Sequence, residues 1–204
     1  MKIQSFTEWV NEMSIVVLGD RKTIMKSSNI GKLGISKYWK KLDSFKYKKY
    51  DIEIYKSKSH KYILGVWGLT NDDKEVFIII TEVSPIKRND LKQLGYKKAI
   101  QMKSLETSED FRDQGFAKLL YKWFISNGYS IVADMVQFDG TRRLYASLSE
   151  HKDIKADIVD VTEHKEIESD TIISQDKFED WDFDERVWSY DYDKQHIRIV
   201  LTRK

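Results

Sequence analysis

The chain has no cysteine. Disulfides and thiolate nucleophiles are therefore excluded, and any zinc site would have to be built from histidine and carboxylates alone. The four histidines, His60, His151, His164 and His196, show no paired ligand spacing, so no metal is expected. Proline occurs once, at Pro85, and glycine only nine times, which excludes collagen-like and Pro/Gly-rich linker architectures. Long hydrophobic runs are missing too. Near the start the longest is Ile15 to Leu18, far short of the roughly 20 apolar residues that span a bilayer and of a signal-peptide core. There is no Asn-x-Ser/Thr acceptor and no lipidation motif. A cytoplasmic protein with no membrane attachment is expected, and the lack of cysteine is compatible with a reducing compartment.

What is present suits a packed domain. The 204 residues fit one compact domain, or one domain with an appended segment. Apolar residues make up 41% and charged residues 33%, which excludes a disordered chain. Six tryptophans and eleven tyrosines supply large side chains for a core.

Charge is uneven. Residues 1–60 hold 13 Lys/Arg against 6 Asp/Glu, and residues 165–186 hold 9 Asp/Glu against 3 Lys/Arg. Between Lys37 and Tyr50 six lysines interleave with Tyr38, Trp39, Phe45, Tyr47 and Tyr50. Such a stretch can track a nucleic-acid backbone and stack bases, or it can be a solvated face whose aromatics point into the core. A contact with nucleic acid or an acidic partner through Lys37–Lys49 is the sharper of these two expectations. The acidic segment would favour a cationic acceptor, or serve as a polar loop.

The order of elements follows from patterning. Ser5-Phe6-Thr7-Glu8 is a capping box, and Phe6, Trp9, Val10, Met13, Val16 and Val17 recur at helical spacing up to Leu18. A short helix is expected around Ile35–Leu42. Strands are expected at 48–57, 62–69 and 75–83, the last carrying Val76-Phe77-Ile78-Ile79-Ile80, apolar on both faces like a central strand. A loop or short helix ends at Gly95, and a strand covers about 97–107. Arg112 to Ala117 leads into a helix with Phe116, Leu119, Leu120, Trp123 and Phe124 on its core side, closed by Gly128. A strand at 129–133, a helix at 141–149 and strands at 155–162, 185–192 and 196–202 complete the chain. This is a mixed α/β (α+β) domain with helices on a sheet.

Arg112-Asp113-Gln114-Gly115-Phe116-Ala117 carries the clearest chemical signal. A helix N-terminus offers unpaired N–H groups and partial positive charge to an anion. Gly115 removes a Cβ where a pyrophosphate would press on the backbone, Ala117 is small, and Arg112 adds a cation. Successive N–H groups suit a diphosphate. The pattern is neither a Walker A loop nor G-x-G-x-x-G. By itself it serves equally well as a glycine opening a helix.

In this setting the chain resembles the GNAT superfamily of N-acetyltransferases. That family carries Gln/Arg-x-x-Gly-x-Gly/Ala at the start of the helix after its fourth strand, matched here by Arg112–Ala117 and prefaced by Glu109-Asp110-Phe111. Its next helix ends near a Leu-Tyr pair, matched by Leu144-Tyr145. The resemblance covers about 97–150 and extends more loosely to Val187-Trp188-Ser189 and Ile197–Leu201. Where relatives often have an Asn ahead of the tyrosine stands Phe138, and Gln101 stands where some have glutamate.

The resemblance implies a mostly antiparallel central sheet with one splayed pair of strands and flanking helices. It assigns residues 46–204 to the acetyltransferase domain and leaves 1–45 as an N-terminal helical element or extension. It implies acetyl-CoA as co-substrate. Arg112, Asp113, Gln114, Gly115, Phe116 and Ala117 would hold the pyrophosphate, and main-chain groups near Leu105 and Thr107 the pantetheine arm. One such N–H would polarise the thioester carbonyl. Transfer to an amine needs a base, Glu106 or a water it holds, and Tyr145 would protonate the departing thiolate. The alternative is a GNAT-fold binding protein that has lost turnover.

Overall fold

A computed structural model describes residues 39–58, 63–69, 75–86, 89–134, 139–173, 187 and 196–204. The expected helix at 6–18, the turn at 71–73 and Phe138 lie outside these residues. The protein is mixed α/β, with a large, mostly antiparallel sheet and few helices. It divides into two compact units. One comprises Met1–Thr81 and Glu106–Gln114; the other comprises Glu82–Leu105 and Gly115–Lys204.

In the first unit, β1 (Trp39–Tyr47) and β2 (Tyr50–Ser57) form an antiparallel hairpin, and β2 pairs antiparallel with β3 (Ile63–Leu69). β4 (Glu75–Pro85) begins here. Tyr50, Ile52 and Ile54 alternate onto one buried face of β2 with the period of two of a strand, and Tyr55 and Ser57 are buried on the other. The hairpin register sets Tyr47 opposite Tyr50 and Phe45 opposite Ile52. Lys48, in the turn, has φ +54, a left-handed conformation that strains a residue with a Cβ. The Trp39 ring lies 4.9 Å from that of Phe77, and the Tyr50 ring meets Phe111 edge-on at 5.5 Å. The expected helix at 35–42 is not present from Trp39 onward. Phe45 and Tyr47 share a half-buried side of β1, a register shift between Lys41 and Asp43 sets half-buried Trp39 in the other alternation, and pairing with β2 decides the backbone.

The second unit holds α1 (Asn89–Gln93), β5 (Ala99–Thr107, which ends in the first unit), α2 (Phe116–Ser126), β6 (Ser130–Val132), α3 (Asp139–Ser149), β7 (Ile154–Asp160), β8 (Lys165–Glu168) and β9 (Ile197–Arg203). Its strand order is β5-β6-β9-β7-β8. β5 and β6 are parallel; β6 with β9, β9 with β7 and β7 with β8 are antiparallel. Ile199, Val200 and Leu201 of β9 have no exposed surface, as a central strand covered on both faces requires. α2 packs on β6 and β9, and α3 on β7. The opposite face carries a cluster of Leu91, Tyr96, Ala99, Val132, Val159, Val161 and Val200.

α2 buries Phe116, Leu120, Tyr121, Phe124 and Ile125. Its core stripe is thus turned by one residue from the expected one, and Trp123 sits half-buried on the flank. Gly128, at φ +77, closes the helix as expected. Its N–H donates to Ile125 O at 3.0 Å, the Tyr129 N–H donates to Phe124 O at 3.1 Å, and the Tyr129 and Phe124 rings meet at 5.5 Å. That is a Schellman cap with its apolar contact. Of the strand expected at 185–192 only Val187 is described, and it is not in a strand.

Candidate functional site

The Arg112–Ala117 segment forms as its residue types demand. A single 3₁₀ turn, Glu109–Phe111, buries Phe111, and the Ser108 N–H donates to Ile78 O at 2.9 Å. Asp113 has φ +57 and Gly115 φ +83. Aspartate tolerates the left-handed region better than most residues, and glycine is at home in it. Gly115 is the N-cap of α2, and its carbonyl accepts from the Leu119 N–H at 3.0 Å. Among the described residues, the main-chain N–H groups of Gly115 and Ala117 meet no acceptor. Phe116 is buried at 1% exposure and anchors the first turn in the core.

Gln114 is fixed within the first unit. Its carbonyl accepts from Lys48 Nζ at 2.7 Å and from the Tyr47 hydroxyl at 3.3 Å. Its Oε1 accepts from the Tyr50 hydroxyl at 3.3 Å, and its Nε2 donates to Asp110 O at 2.7 Å. The lysine- and tyrosine-rich stretch therefore brings its hairpin turn to this loop. Arg112 is exposed, with Glu109 3.9 Å away. At that exposure and distance the pair contributes little to stability.

Where β5 and β6 part, the second unit has a cleft of about 210 Å³. The strands are paired at Ala99 with Ser130 and at Ile100 with Ile131. Beyond those positions Gln101 and Lys103 of β5 line the cleft, facing Val132 and Asp134 at the end of β6. Arg198 of β9 adds a second cation, and Ile86, Leu91 and Val161 supply apolar surface. This is the carboxyl-terminal end of a parallel strand pair, where open α/β sheets present their ligand sites.

Tyr145, on α3, is 2% exposed. Its ring meets Tyr121 edge-on at 5.9 Å. Burial pushes the Tyr145 pKa well up, with the neighbouring Tyr121 hydroxyl and Asp134 adding to the rise. Tyr121 is likewise raised by burial, with the Tyr145 hydroxyl lowering it in part. Tyr145 therefore keeps its proton at any ordinary pH. Handing it to a thiolate, whose acid has a pKa near 8.5, is uphill unless the bound substrate changes the surroundings.

The remaining expected residues are dispersed. Leu105 is half-buried in the second unit, whereas Glu106 and Thr107 are half-buried in the first. Glu106 does not line the cleft. Arg143 is exposed and Arg142 half-buried. In the acidic segment, Glu166 is 3.4 Å from Lys155, and Asp170 is 2.8 Å from Lys204, so its first acids have cationic neighbours. Residues 174–186 lie outside the described part. Among the described residues no three His, Asp or Glu side chains cluster to hold a metal, and no helix is long and apolar enough to cross a membrane.

Sequence reasoning missed Asp134 and the docking of Lys48 on Gln114. Asp134 had one available signal, its place directly after an apolar strand. Compared with models of protein families, with characterised proteins and with solved structures, the chain matches none.

Proposed function

We propose that the chain is an acetyl-CoA-dependent N-acetyltransferase that transfers an acetyl group to a primary amine. The observation that carries this reading is the ending of the parallel β5–β6 ladder after two residue pairs, with a cleft at the parted strand ends. The large, mostly antiparallel sheet is of the kind the resemblance implies. So does a helix that opens on Gly115 after β5.

In this reading, main-chain N–H groups from Gln114 to Ala117 hold the diphosphate of the co-substrate, Arg112 adds charge, and the main chain near Leu105 and Thr107 holds the pantetheine arm. The amine nitrogen forms a bond to the acetyl carbon and the carbon–sulfur bond breaks. The amine proton passes to a carboxylate or to water held by one, and the thiolate takes the proton of Tyr145. Asp134 joins Glu106 as a candidate base because it lines the cleft and lies near enough to Tyr145 to affect its titration. Thiol release from acetyl-CoA in the presence of an amine panel tests the reading. Release that depends on the amine supports it, and its absence with every amine counts against it.

One observation favours the second reading, a GNAT-fold protein that binds without turnover. The Tyr145 hydroxyl is fully buried and already engaged with Tyr121. The same assay separates the two, because a binder would be stabilised by acetyl-CoA and release no thiol.

A further inference from the structure

The cleft beside β5 and β6 has a charge pattern that specifies more than an amine. Among its described lining residues Asp134 is the carboxylate, Lys103 and Arg198 are the cations, and Gln101 adds an amide. Apolar surface from Leu91, Val132 and Val161 separates these groups from the core. Two described cations against one described carboxylate disfavour an acceptor whose charges are all positive, because like charges brought into a partly desolvated site repel. They favour an acceptor that brings an anion of its own. The volume of about 210 Å³ falls below the usual range for drug-sized ligands, roughly 300–1,000 Å³. An acceptor of amino-acid size fits that space.

We propose that this cleft binds a small amino acid, with its ammonium facing Asp134 and its carboxylate facing Lys103 and Arg198. As the acetyl acceptor it would be a primary amine that carries a carboxylate, rather than the cationic acceptor suggested by the acidic segment. Assigning it as acceptor rests on the transferase reading; the binding itself does not. Arg198 holds part of its guanidinium in place through Nη1, which donates to Ile197 O at 2.7 Å. That bond fixes the direction from which a carboxylate is met and makes arginine the better-organised of the two cations. Lys103 is exposed, so its substitution probes the site without opening the core.

The test compares glycine, β-alanine and 4-aminobutyrate with propylamine. In the first arm each compound is added alone, without acetyl-CoA, and the melting temperature is read. At least one of the three amino acids should raise it, and propylamine should not. In the second arm acetyl-CoA is present and thiol release is followed. The best amino acid should exceed propylamine in kcat/KM by about tenfold or more, since a site built for a polar group rejects the analogue that lacks it. Lys103→Glu should collapse that ratio towards unity while keeping the stabilisation by acetyl-CoA, which shows that the variant is folded. Propylamine binding or reacting as well as the amino acids would overturn the proposal, as would an unchanged ratio in Lys103→Glu. A melting shift with amino acids but no thiol release would keep the cleft assignment and overturn the transferase reading. The reverse, thiol release with propylamine alone, would overturn the cleft assignment and keep the transferase.

Discussion

Lys48 Nζ lies 2.7 Å from the carbonyl oxygen of Gln114. The two residues are 66 positions apart in sequence. The contact ties the turn of a basic hairpin to Gln114 within the first unit. Lys48 holds a left-handed turn conformation to make it, and the Tyr47 and Tyr50 hydroxyls reinforce it.

Removing this support should loosen the loop more than the fold. A hydrogen bond from a charged donor contributes about 1.5–3 kcal/mol when shielded, and less when exposed as here. Lys48→Ala should cost about 1 kcal/mol or less in chemical denaturation. Acetyl-CoA affinity, read by calorimetry, should fall by about tenfold, because the N–H of Gln114 belongs to the proposed diphosphate site. An unchanged affinity would show that the hairpin does not organise the loop.

Tyr145 separates turnover from binding. Tyr145→Phe should leave acetyl-CoA affinity within about twofold of the parent. It should slow thiol release by about 100-fold, within the range of lost general acids. Equal rates in the two proteins would remove Tyr145 from the chemistry and leave it as a core residue paired with Tyr121.

Buried phenols set a limit to stability at high pH. Burial raises the pKa of Tyr96, Tyr121 and Tyr145 above the ordinary value of 10.0. A group whose folded pKa is raised contributes full stability below its unfolded pKa, and that contribution is lost as pH rises towards the folded pKa. Melting temperature should therefore be flat around neutrality in this respect and fall above about pH 10. Tyr121→Phe should make the fall shallower. A fall of the same steepness would mean that the phenols ionise freely in the folded protein.

The Tyr96 hydroxyl donates to buried Asp157 at 2.9 Å. Asp157 also accepts from Lys155 at 3.0 Å, from Ser169 at 3.2 Å and from the Asp170 N–H at 3.1 Å. Tyr96→Phe leaves the carboxylate three partners, so the loss should be about 1–2 kcal/mol in denaturation rather than unfolding of the unit. Asp157→Ala strands the buried Tyr96 hydroxyl and leaves the part-buried Asp170 N–H without its acceptor, and should cost more. The reverse order would contradict the assignment of Asp157 as the centre of this network.

Much of the fold was legible where pattern and environment agree. β2 followed from period-two alternation, β4 from its apolar run, and the end of α2 from Gly128. β1 was misread because Ile35, Trp39 and Leu42 fall at helical spacing, and only pairing with β2 reveals the strand. β8 was missed because Lys165–Glu168 is short and polar, with its pairing to β7 supplying the order. The candidate site was legible only at the loop, where Gly115 needs a left-handed backbone. Gln101 was singled out only through the resemblance, and Asp134, Lys103 and Arg198 carry no spacing that sequence could detect, since β5, β9 and the residues after β6 bring them to one cleft. The engagement of Tyr145 with Tyr121 is equally silent, because both read as ordinary aromatics on amphipathic helices.

The most direct test of the account is the melting temperature with and without acetyl-CoA, in the parent chain and in Gly115→Glu. At φ +83, a residue with a Cβ is strained by about 1–2 kcal/mol, so the variant should melt a few degrees lower and still cooperatively. Acetyl-CoA at 100 times its dissociation constant should stabilise the parent by about 2.7 kcal/mol and leave the folded variant unmoved. A parent chain that acetyl-CoA does not stabilise, or a variant stabilised as strongly as the parent, would contradict the claim that the loop at Gly115 holds the co-substrate.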